Sequence, residues 1–545
     1  MVATTQFQTQ RVGALPVIAR FCQRLQLGAT VDRIVPWAGE VPLGDLVEIL
    51  VANRLLEPKA LYRLGSWATK ATLADSYNLS EQQLHDDRIG RALERVADHG
   101  DAVQAALVLR AIEEFGLDVQ QIHYDLSTVE LYGGYEADDT GPGDATAPRP
   151  AYGHSKSGRK DLKQIQFGIN VTGDGGVPIS HRAFDGNAAE TPTHLDNLKR
   201  LAELLPKGPL LYLADTKLDS EENLLTVVAA KGKFLCGGAM TVAMQDLFLS
   251  VKGQLQPLAY CPKSQESLPP EKRDRYQGVE VRRELKGFVR ERLVCCRYRL
   301  VFVWSESKAR QEAATRQRHL SKIEKVFSQT QKNLNRYTLT TSEAVRKRLE
   351  SARSRYAEGK LFNYVLEEDA EGRLTLKWHI DAKGLARLAA LDGVFLLKTN
   401  LAKKTHSATE VLRKYREQNQ VERRIGNLKG PLAVAPMFLK NPKRMAGLLF
   451  ILVWALMILS LMERQVRQRL NGKPMYGLYP EQRPSRAPTG VRLIAAFEYL
   501  CVVVITEGDQ TTRYLGELDE TQKQILTLLD MLPEHMTTWT QGCGT

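Results

Sequence analysis

The chain lacks the cysteine pattern of a disulfide-stapled or zinc-bound protein. Its seven cysteines, at 22, 236, 261, 295, 296, 501 and 543, are odd in number and never spaced CxxC. That argues against a disulfide framework and a zinc site. The opening stretch MVATTQFQTQ lacks the charged-then-apolar pattern of a signal peptide, so the cytosol is the expected compartment. Long apolar runs are scarce. One uncharged stretch, 445–462, reaches 18 residues, the length at which a membrane helix comes into question. Polar sequence resumes at once with ERQVRQRL, and a sheet-based domain needs apolar helices over its faces. A buried helix is therefore expected, with no membrane partner.

Excess positive charge is missing from the first 120 residues, which hold 12 Lys and Arg against 15 Asp and Glu. That makes the segment a poor DNA binder by itself. The whole chain of 545 residues nevertheless carries a net charge of +12. Residues 301–360 hold 14 basic against 6 acidic side chains, and 401–450 hold 11 against 3. Two concentrated basic stretches suit a polyanionic partner, double-stranded DNA above all. The first can equally be a pair of solvated helices.

Three acids stand out. Asp125 follows the alternating run QIHYDLST, in which Ile122, Tyr124 and Leu126 share one side and His123, Asp125 and Ser127 the other. Asp215 ends the apolar run GPLLYLAD. Glu422 lies in YREQNQVERRIGNLK, residues 415–429. On one continuous helix, roughly 100° per residue puts Tyr415, Gln418, Glu422 and Lys429 in a stripe about 60° wide. Gly430-Pro431 then stops the helix. Two strand aspartates and a late helical glutamate suit a pair of divalent ions, Mg²⁺ by preference with Mn²⁺ as a substitute, that cut and join phosphodiesters. Alone, the Glu422 segment also reads as an ordinary charged surface helix. His123 shares the Asp125 side and reads as structural, and neither His154 nor His181 is expected to bind metal.

The spacing Y-x2-R-x3-E-x6-K resembles the signature of DDE transposases from bacterial insertion sequences. Tyr415, Glu422 and Lys429 keep that spacing, and Gln418 stands where the family has Arg. HDDRIGRALERV (85–96), YDLSTVELYG (124–133), the stretch at 152–190, LADTKLDSEENL (213–224) and DGVFLLKTNL (392–401) are similar in the same order. The resemblance implies Asp125, Asp215 and Glu422 as catalytic and metal-binding residues. It implies DNA contacts at Tyr415, Gln418 and Lys429, with Arg416 and Arg423 as compensating cations where Gln418 brings no charge. It further implies strand cleavage at element ends, transfer into target DNA, terminal inverted repeats as partners, a homodimer in the active complex, and a place at the bacterial nucleoid. The alternative is a catalytically inactive or domesticated relative that only binds DNA.

The order strand, strand, strand, helix, strand around the two aspartates fits a ribonuclease H-like core. The expected class is a multi-domain α/β chain with a mixed sheet flanked by helices. Residues 1–115 read as a helical domain, 116–234 and 391–475 as the two parts of the core, and 476–545 as a C-terminal helical region. The 206 residues between Asp215 and Glu422 are too many for a loop. An α+β insertion is expected over 235–390, with strands, a basic helical hairpin, and Trp304 and Trp378 as ordinary strand aromatics or base-stacking platforms.

Overall fold

The computed structural model describes residues 5–71, 73–132, 135, 147–153, 158–205, 210–434, 437, 439–507 and 510–538. His154 and most of the expected loop at 133–157 lie outside them. The chain is mixed α/β and forms two compact units, one from residues 1–233 and 417–545, the other from 234–416. By compactness, residues 391–416 group with the inserted segment.

The first unit is built on strands in the order Pro178–Phe184, Gln164–Thr172, Gln121–Glu130, Leu211–Ala214. The first three run antiparallel, Asp125 standing opposite Ile169 and Ile169 opposite His181. The fourth runs parallel to the Asp125 strand. The central strand at 164–172 is buried at all nine positions. Helices cover both of its faces, so its sequence shows little alternation. Gly168 lies under the Tyr124 ring, where an added Cβ would stand 2.3 Å from the phenol oxygen.

Two long helices, Asp86–Phe115 and Pro442–Leu470, pack against each other within this unit. Gly447 makes the approach possible, since a Cβ there would fall 2.0 Å from the Leu93 carbonyl. Trp454 donates to Gln104 at 3.0 Å, and Arg444 pairs with Glu94 at 2.7 Å. The apolar run 445–462 is enclosed along its whole length. It is long and apolar enough to cross a membrane by composition. Here it joins the two ends of the sequence into one core.

Both ends depart from the helical expectation by adding strands. Thr5–Arg11 is a strand that pairs antiparallel with Cys501–Glu507, which in turn pairs with Gln510–Leu515. The run CVVVIT is rich in β-branched residues that suit a strand. Its register comes from a partner almost five hundred residues away, beyond the reach of local periodicity.

The second unit has a five-stranded antiparallel arrangement in the order Lys233–Gly238, Val394–Thr399, Arg292–Ser305, Tyr276–Val289, Gln256–Leu258. The basic segments form helices Glu306–Lys332 and Ser342–Ser354, which close a core of their own with the hairpin Phe362–Glu368 and Leu374–Ile380. Trp378 belongs to that core. Its ring stands 5.6 Å from Phe327, and its Nε1 donates to Gln331 at 3.2 Å. Trp304 packs at the edge of the other cluster in this unit.

Candidate active site

Parallel pairing sets the first two acids. His123 stands opposite Leu213. Asp125 lies two residues beyond His123 on its strand, and Asp215 lies two beyond Leu213, just past the end of its own strand at Ala214. The parity of its strand puts Asp125 on the face that also carries Gln121 and His123. Both aspartates are half-buried. One oxygen of each is oriented by a nearby backbone N–H. Leu126 N–H donates to Asp125 at 2.8 Å, and Lys217 N–H donates to Asp215 at 2.9 Å. Asp215 thereby caps a short 3-10 turn at 216–218.

The opposite face carries a buried polar network. Tyr124 donates to Thr193 at 3.3 Å. Asn197 donates to Tyr212 at 2.9 Å and to Asn170 at 2.8 Å, and Asn170 donates to Ser180 at 2.8 Å. Burial pushes the Tyr124 phenol above its ordinary value, and the charges of Asp125 and Asp215 push it further the same way. Tyr212 is raised by burial, by Tyr124 and by Asp215. These phenols stay neutral and hold the two strands in place beneath the carboxylates.

Glu422 lies in the first turn of the helix Asn419–Lys429. The chain is not one helix from 415 to 429. One helix ends at Arg416 and the next starts at Asn419. Between them the backbone tightens into i to i+3 bonds, Gln420 N–H to Glu417 and Val421 N–H to Gln418. Two tertiary contacts accompany the break. Gln121 Nε2 donates to Glu417 at 2.7 Å, and buried Gln418 donates to the Tyr124 carbonyl at 3.1 Å. The stripe expected to run from Tyr415 is therefore interrupted. Within the second helix the spacing survives. Val421, Ile425 and Leu428 face inward, while Glu422 and Lys429 are exposed on one flank about 20° apart.

Gln418 thus holds the start of the Glu422 helix one residue from Asp125. A second clamp sits further along. Arg424, fully buried, donates to the carbonyls of Gly175 and Gly176 at 2.7 and 2.9 Å, in the turn between two strands of the sheet. Gly175 and Gly176 have φ of +84° and +64°, a conformation that suits glycine. Buried Glu463 on the long apolar helix pairs with Arg423, Arg424 and Arg467 at 2.8, 3.1 and 2.8 Å and accepts from Gly490 N–H at 3.0 Å. Burial alone would raise its carboxyl, but Arg424, Arg467 and Arg423 outweigh it and hold the carboxyl below the ordinary range. The sequence reading missed this cluster. Glu463 sits at the end of an apolar run and shows no spacing signal toward Arg423 or Arg424.

The cations named with the site divide accordingly. Arg423 and Arg424 are tied to Glu463, and Arg416 lies over the Phe395 ring at 5.3 Å within the second unit. Tyr415 is half-buried in that unit as well. Among the described residues, no three His, Cys, Asp or Glu side chains come together as a group able to hold a metal ion. In kind, carboxylates suit a hard divalent cation, but Glu422 is not gathered with Asp125 and Asp215 into such a group.

Residues 7–107 match a family model described as a domain of unknown function, DUF4277. No curated protein matches the chain. Among solved structures, a piggyBac transposase synaptic complex with hairpin DNA is similar over 98% of this chain and 87% of that chain, at 8% identity and a TM-score of 0.37. That likeness is too distant to carry function across.

Proposed function

We propose that this chain is a DNA transposase of the insertion-sequence DDE type, with a ribonuclease H-like core, acting on the ends of its own element as a homodimer. The observation that carries the reading is the parallel pairing of the strand that carries Asp125 with the strand that leads into Asp215. The ordered motifs, including the Glu422 and Lys429 spacing, add to it. Asp125, Asp215 and Glu422 would hold two Mg²⁺ ions. Bound there, the ions would supply an activated oxygen nucleophile and neutralise charge on the leaving oxygen. The protein's own part is positioning. Two neighbouring parallel strands carry Asp125 and lead into Asp215, and the Leu126 and Lys217 N–H groups orient the two carboxylates. Gln418 and the Arg424–Glu463 cluster hold the glutamate helix. Lys429, exposed on the Glu422 flank, serves as a phosphate contact, and Tyr415 joins it on the strength of the motif.

The test is cleavage of DNA carrying the sequence that flanks the coding region, with Mg²⁺. Wild type is expected to cut at the element ends. Asp125→Ala, Asp215→Ala and Glu422→Ala should each lose at least about a hundredfold in rate while still binding the DNA. Equal cutting by all three variants refutes the assignment. Binding without cutting by the wild type points instead to a catalytically inactive relative.

A further inference from the structure

A second site lies in the same unit, away from the carboxylates. A cleft of about 960 Å³ opens between the helices of the N-terminal region and residues from the C-terminal half of the unit. That is within the size range of small-molecule sites. Five cations line it, and two are neutralised locally. Arg11 pairs with Glu498 at 3.2 Å, and Lys59 pairs with Glu57 at 2.6 Å. Arg54, Arg63 and Lys70 have no carboxylate partner among the described residues. Arg63 and Lys70 are exposed. Arg54 is not: it is 6% exposed. Its Nη2 donates to the Lys59 carbonyl at 2.8 Å, while its Nε is buried with no hydrogen-bond partner. A buried guanidinium without a counter-charge is costly, and burial pulls Arg54 down to about 10. An anion in the cleft would supply the missing counter-charge. The remaining wall is apolar, with Leu56, Leu432 and Ile494.

The geometry points to a binding site for a nucleotide unit, its phosphate held by Arg54 with Arg63 and Lys70 at the rim, and its base against the apolar wall. A guanidinium is well shaped for phosphate oxygens. The nucleotide is either free or the phosphorylated end of a DNA strand. None of the residues involved belongs to the proposed catalytic set, so this site and that one succeed or fail separately.

Calorimetric titration of the full chain with inorganic phosphate, dAMP and a 5′-phosphorylated trinucleotide tests it. At least one nucleotide probe is expected to bind about tenfold more tightly than inorganic phosphate. The exposed pair of changes Arg63→Glu and Lys70→Glu should weaken that binding about tenfold, and Arg54→Met should do the same. If Arg54→Met does not fold, the rim variant decides alone. A trinucleotide that outbinds dAMP marks a strand end; equal affinities mark a free nucleotide. The assignment is overturned if no probe binds at millimolar concentration, if inorganic phosphate binds as well as both nucleotide probes, or if the rim variant changes affinity less than twofold.

Discussion

Changing Glu463 to Gln removes one buried negative charge and almost no volume. Three guanidiniums converge on that carboxylate at 2.8–3.1 Å, and Arg424 among them has no exposure to water. The amide can still accept from Gly490 N–H, so the loss is electrostatic. Breaking a buried pair by removing one partner costs about 3–5 kcal/mol. Here the charges left behind repel one another, so the upper part of that range is expected. Arg424→Met should cost less than Glu463→Gln, because Arg423 and Arg467 still neutralise Glu463. Equilibrium urea unfolding followed by circular dichroism and tryptophan fluorescence measures both. The pH dependence carries a further sign. The folded carboxyl lies below its ordinary value of 4.5, so its stabilisation is full above that value and is lost as pH falls through the lower folded one. Glu463→Gln should flatten that acid limb. A loss under about 1 kcal/mol, well short of a broken buried pair, or Arg424→Met costing more, would refute the reasoning.

Two other substitutions probe the sheet beneath the acids. Gly168→Ala puts a methyl group into the Tyr124 ring and should cost about 1–3 kcal/mol by overpacking; a melting temperature equal to wild type would show that the strands shift freely. His181 is buried against Phe450, with ring centroids 4.4 Å apart, and burial holds it neutral down to about pH 3 against an ordinary value of 6.5. The unfolded chain takes up that proton first, so stability should fall by up to about 1.4 kcal/mol per pH unit as pH drops from 6.5 toward 3. His181→Phe should remove that slope in a pH series of unfolding curves.

Local pattern determined a good deal of this protein. Alternation marked the strand that carries Asp125. The apolar run ending at Asp215 was legible for the same reason, because a strand writes its faces into neighbouring residues. The N-terminal helices were visible through three- and four-residue spacing, and the basic helices of the insertion and the uncharged stretch at 445–462 through their composition. What pattern could not carry was pairing across the chain. That the Asp125 strand pairs with the strand leading into Asp215 depends on register between strands ninety residues apart. The break before Asn419 accompanies contacts that Gln121 and Tyr124 make with Glu417 and Gln418, so a helical wheel drawn through 415–429 could not foresee it. Glu463 and its three arginines, the strand at 501–507 with its partner at 5–11, and the cleft around Arg54 likewise exist only once distant segments meet. Hydrophobic periodicity is a property of neighbours, whereas charge compensation and register belong to groups that folding brings together.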